Sequence, residues 1–171
     1  MTTPYALTVD AGLRDLRAAD HLLRTLAAEL ALPEGAFGCT HLIRGDRPRV
    51  AVSFTVASPA LRDPAREWLT AKGYEVTDGV PDDTGRAVLY PGADALTGTL
   101  TVAELLSRSA IDRVTVLGAP GEPEGSARLV TRDHVRPQWQ GGELVLIAQP
   151  AIGGTLVPFE VPEPTPCCAD H

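Results

Sequence analysis

All three cysteines of this chain, and two of its four histidines, fall in two short patches. One is "GCTH", with Cys39 and His41; the other is "CCADH", with Cys167, Cys168, Asp170 and His171. Thiolate and imidazole are the donors that suit zinc or Cu(I). Residues two apart on a strand project to one face, so Cys39 and His41 would stand side by side as a two-pronged ligand pair. The "PEPTP" before the tail favours extended polyproline II, whose five residues cover about 15 Å, enough to cross a small domain face. The expected centre joins Cys39 and His41 to Cys167, Cys168 and His171. Zinc is the default metal, with copper or iron as the other thiophilic choices. Three protein ligands would leave a position for an activated water and hydrolytic or lyase chemistry; four would make the site structural.

Other readings compete. Neither C-x-H nor CC-x-x-H has zinc-finger spacing, and neither is the C-x-x-C of thioredoxin-like exchange. A strand cysteine is commonly a small buried hydrophobe. A strained disulfide between Cys167 and Cys168 would be a labile redox switch, with Cys39 as resolving thiol. The third class is a non-catalytic module that uses an open sheet face for a small-molecule ligand or a second subunit. His134, in "TRDHVRP", is an acid–base or ligand candidate, although a turn residue before Pro137 is its commoner meaning. Arg44, Arg47 and Arg49 in "RGDRPR" match an anion's geometry, but a solvated hairpin end is the usual reading. His21 lies on an Arg-rich solvated helix face. "GAPGEPEG" has acidic neighbours and no Gly-Lys-Ser/Thr, so it is no phosphate cradle.

The bulk composition bounds the classes. A chain of 171 residues with 44% hydrophobic content can bury a real core. Its formal charge of −7 argues against a nucleic-acid partner. Lys72 is the only lysine, which disfavours Lys-based phosphate or Schiff-base chemistry. "MTTPYALTVDAGLRDL" lacks the basic and long apolar regions of a signal peptide, and no segment reaches the length of a membrane span. A cytoplasmic protein with reduced thiols is expected, and an odd cysteine count agrees with that.

The elements that must position these residues can be read in order. "YALTVD" alternates as a half-buried strand, after which Asp10 would cap a helix running to about Leu32. "AFGCTHLIR" and "RVAVSFTVA" form a hairpin through "GDRP". "SPALRDPAREWLTAKG" is a helix started by Ser58 and Pro59 and stopped by Gly73, with a kink at Pro64 or a restart capped by Asp63. "YEVTDGV" adds a strand. This β-α-β-β-α-β order, over about residues 5–80, resembles the ferredoxin-like fold, which implies an antiparallel sheet with two helices on one face. Hairpin register decides where Cys39 and His41 point. One register puts them with Val50, Phe54 and Val56, toward the helices; a one-residue shift puts them with Ala51, Ser53 and Thr55, on the open face.

The expected fold class is α+β, with a first domain over 1–80 and a polar joint at "VPDDTGR". A β-rich second domain follows over 85–161, and then a Pro-rich tail over 162–171. In the second domain "RAVLY", "DRVTVLG", "ARLVTR", "ELVLIAQ" and "TLVPFEV" are strands. "TVAELLSRS" is a helix with a Thr101/Glu104 capping box, and "PQWQGG" is a turn. "GGELVLIAQPAIGG" is similar to the end of ubiquitin-like sulfur carriers, which implies a β-grasp-like second half. Residues 155–171 follow Gly154, so the likeness does not extend to carrier chemistry.

Overall fold

The computed structural model describes residues 5–162. These residues form a mixed α+β structure of three α-helices and an eleven-stranded sheet. Strand β1 (Ala6–Leu13) buries Leu7 and Val9 toward the helices. It runs past Asp10, because Gly12 adopts φ +69° at an irregularity that lets Leu13 pair with Val50. Helix α1 (Leu16–Glu29) therefore starts later than the sequence suggests. Asp15, not Asp10, is its cap, accepting the Ala18 N–H at 2.7 Å. Asp10 accepts a hydrogen bond from Arg49 instead.

Strands β2 (Phe37–Ile43) and β3 (Arg49–Thr55) form the hairpin, with Cys39 opposite Ser53 and His41 opposite Ala51. This register leaves Cys39, His41 and Ser53 on the face away from α1, and gives the helix face to Val50, Val52 and Phe54. Gly38 lets α1 approach β2: a Cβ there would fall 2.7 Å from Leu23 Cδ2. Helix α2 (Pro59–Ala71) runs through Pro64 with neither a break nor a restart at Asp63. Ala65 and Leu69 anchor it in the core, and that burial offsets the single helical bond Pro64 cannot make. Gly73, at φ +91°, ends it, and β4 (Glu75–Asp78) follows. These four strands lie in the order β4-β1-β3-β2, every neighbouring pair antiparallel.

Beyond the joint the sheet continues. Strand β5 (Arg86–Leu89) pairs with β2, so the hydrogen-bond ladder crosses from one half to the other. The remaining elements are a 3₁₀ turn (Ala93–Ala95), β6 (Thr99–Thr101), α3 (Val102–Arg108), β7 (Arg113–Val116), β8 (Arg128–Val130), β9 (Gln138–Gln140), β10 (Glu143–Pro150) and β11 (Leu156–Pro158). The capping box on α3 forms, Thr101 and Glu104 satisfying each other's backbone N–H. After β5 the order is β9-β10-β11-β8-β6, with β7 parallel to β10. The "PQWQGG" segment is a strand rather than only a turn. Gln138–Gln140 pairs with β10 through a two-residue turn at Gly141 and Gly142, both at positive φ. Among the described residues, most buried apolar side chains fall in two clusters. One packs Leu7, Val9, Val52 and Phe54 against Leu23, Leu26 and Leu69. The other gathers Leu105, Val114, Leu129, Leu144 and Leu146.

Candidate functional site

Alternation along β2 and β3 brings His41 and Ser53 together on the face not covered by the helices. The Ser53 hydroxyl lies 2.8 Å from His41 Nε2. On the other side of the ring, Nδ1 lies 3.2 Å from Asp82 Oδ1. An ionised carboxylate only accepts, so Nδ1 carries the proton and Nε2 accepts from Ser53. Asp82 is itself fixed, its Oδ1 accepting the Thr84 N–H at 2.9 Å and the Thr84 hydroxyl at 3.1 Å. The result is a hydroxyl–imidazole–carboxylate chain. Its members come from two strands and the loop joining the two halves.

That loop, residues 79–85, is tied at both ends. The Thr8 hydroxyl donates to the Gly79 carbonyl at 2.6 Å, and the Trp139 N–H donates to the Gly85 carbonyl at 2.9 Å. Gly85 lies close against the imidazole: a Cβ there would sit 2.9 Å from His41 Cε1 and 3.0 Å from Cys39 Cβ. A cavity of about 280 Å³ opens onto the group, lined by Cys39, His41, Ser53, Asp82, Asp83 and Trp139, with the Gly141–Gly142 turn at its wall. A larger groove of about 590 Å³, beside the end of α1 and residues 89–95, has no histidine, cysteine or serine in its lining. Chemistry, not size, singles out the smaller cavity.

Burial holds the His41 pKa below the usual imidazole value; Asp82 pulls it up but does not cancel the effect. His41 is therefore neutral and able to accept a proton. Burial would raise the Asp82 pKa, but hydrogen bonds from Thr84 and His41 more than offset it and keep the carboxylate charged. Cys39 is the opposite case. Burial pushes its thiol up to about 12, Trp139 opposes this, and the nearby Asp82 charge adds to it.

These facts correct the metal-binding expectation. Among the described residues, no group of three or more Cys, His, Asp or Glu side chains could hold a metal ion. Cys39 is held as a protonated thiol, and both ring nitrogens of His41 are engaged by Ser53 and Asp82. A metal would have to displace both contacts. Cys167, Cys168, Asp170 and His171 lie outside the described residues. His134 is not part of this site, since its Nε2 bonds Glu160 at 2.6 Å. His21, Arg44 and Arg47 are exposed, and Arg49 is spent on Asp10.

Glu160 belongs to a second polar assembly, centred on Arg86. The guanidinium forks onto Glu160 at 2.6 and 2.7 Å and onto Asp20 at 2.7 and 3.1 Å, and it reaches the Thr40 hydroxyl at 3.2 Å. All five of its N–H donors are thus used. Arg136 adds a bond to Asp20 at 3.3 Å. The assembly ties α1 and β2 to the second half and to the end of the described chain.

No local motif in the sequence marks Ser53, Asp82, Gly85 or Trp139. Ser53 shares a face with His41 in one of the two registers, which was the available signal. Comparison with protein-family models, with curated proteins and with solved structures gives no match for this chain. Among the described residues, no helix is long and apolar enough to cross a membrane.

Proposed function

We propose that the chain is a serine-type acyl-transfer enzyme that hydrolyses a small ester or thioester. The observation that carries this is the Ser53–His41–Asp82 hydrogen-bonded chain opening into a cavity. Ser53 Oγ attacks the acyl carbon while His41 Nε2 takes its proton. The leaving group departs with that proton, and Ser53 is acylated. Water then gives a proton to His41 and attacks the acyl carbon; the Ser53–acyl bond breaks and Ser53 recovers its proton. Asp82 holds the tautomer and offsets the imidazolium charge. The Gly141–Gly142 turn exposes backbone to the cavity, the kind of group that stabilises an oxyanion.

The scaffold reading goes with it. Residues 5–80 form a ferredoxin-like unit, supported by the β4-β1-β3-β2 order and by α1 and α2 sharing one core with the sheet. Residues 85–161 form the second unit, supported by an apolar cluster drawn mainly from that segment. A second reading is a small-molecule binding module in which the same three residues only stiffen the pocket. It is favoured by Ser53 being only 2% exposed. A fluorophosphonate probe separates the two: the enzyme gains the probe's mass on the Ser53 peptide, and Ser53→Ala and His41→Ala lose it. A native protein that never acquires the label at Ser53 sinks the enzymatic reading.

A further inference from the structure

The walls of the Ser53 cavity carry charge of one sign. Asp82 and Asp83 line it, and no lysine or arginine does. Asp82 is committed to His41 and Thr84. Asp83 is exposed, and among the described residues no cation pairs with it. Trp139 lines the same cavity, its ring steadied against Phe37 with centroids 5.4 Å apart. A free carboxylate and an aromatic ring around one concave space are the groups that receive an ammonium ion. The formal charge of −7 adds a long-range field that draws cations and repels anions.

We infer that the substrate of Ser53 carries an ammonium group, held by Asp83 and Trp139 while the ester or thioester carbonyl meets Ser53. This rests on the acyl-transfer reading above. A substrate with a free carboxylate would meet like charge and be rejected.

The test compares acetylthiocholine with its uncharged carbon isostere, S-neohexyl thioacetate, by thiol release. The expected kcat/KM ratio is about ten-fold in favour of the cation, the sum of a ring contact and a partly screened ion pair. Asp83→Asn should lower that ratio about five-fold. Glu67→Gln removes the same charge from exposed α2, which packs on the other face of the sheet, and should leave the ratio alone. Molar salt should lower the ratio too. A ratio near one, or one that Asp83→Asn does not change, overturns the inference. If neither thioester is cleaved, the hydrolase reading fails on its own. The cation site is then judged by tetramethylammonium quenching of Trp139 fluorescence in a Trp68→Phe background. Saturable quenching that Asp83→Asn weakens sustains the site, and its absence overturns it.

Discussion

Replacing Arg86 with Met should cost about 3 kcal/mol of stability, because it strands two carboxylates in a largely buried place. The guanidinium side chain is 10% exposed, Asp20 is 13% and Glu160 is 31%. Met keeps the apolar stem, so the loss reports the charge and its hydrogen bonds rather than packing. Breaking a buried pair by removing one partner costs roughly 3–5 kcal/mol. The half-wet Glu160 arm, which retains His134, places this case at the lower end. For a chain of this size the melting temperature should fall by about 6–12 °C. Urea unfolding followed by circular dichroism is the assay, with equal slopes confirming that the folded and unfolded surfaces are unchanged. Adding Glu160→Gln to Arg86→Met should recover part of the loss, since one stranded charge is then gone. The acid limb gives a second check. Burial would raise the Glu160 pKa, but Arg86 and His134 more than offset this and hold it below the usual 4.5. Its contribution is present above that value and fades as pH falls through the folded pKa, so Arg86→Met should flatten the stability slope there. A loss under about 1 kcal/mol, the size of a surface pair, would refute the argument.

Two further outcomes follow from the site. Ester hydrolysis should rise with pH through the folded pKa of His41 and level off below its ordinary 6.5, because burial depresses it and only the neutral ring accepts a proton. A limb centred above 6.5 in the pH profile of kcat/KM contradicts the buried-base assignment. Gly85→Ala should destabilise by about 1–3 kcal/mol and cut turnover at least ten-fold, since its Cβ must displace the His41 ring. Gly35→Ala, where a Cβ meets nothing within 4 Å, should do neither, and equal effects at both positions would discount the contact.

Periodicity made the first half legible, because the larger apolar side chains of β1 and β3 alternate toward the helices and α1 and α2 each bury one stripe. The structure departs from the local pattern where a local signal has two solutions. Asp10 and Asp15 are equally good caps, and only the bulge around Gly12 decides between them. Pro64 suggested a break, but Ala65 and Leu69 are buried on one side of α2 and hold it together. "PQWQGG" carries a turn signal in Gly141 and Gly142 that masked the strand before it. At the site, Cys39 and His41 share one face of β2, and two soft donors side by side suggest metal. The partners that redefine His41 are remote in sequence: Ser53 across a hairpin, and Asp82 in a stretch that reads only as a polar joint. No spacing rule links residues that meet only after the sheet has formed.

The doubly tied loop over residues 79–85 changes what can be done with this chain as an engineering scaffold. A joint between two halves is ordinarily the first place to lengthen, cut or graft, because few contacts cross it. Here that stretch supplies Asp82 and Gly85 to the pocket and is pinned at Gly79 and Gly85. Its length is therefore matched to a distance across the site, and an added residue would act on chemistry before it acted on flexibility. Cargo, tags or a split point belong instead at the hairpin tips around Gly45 or around Ile152, whose side chain is fully exposed.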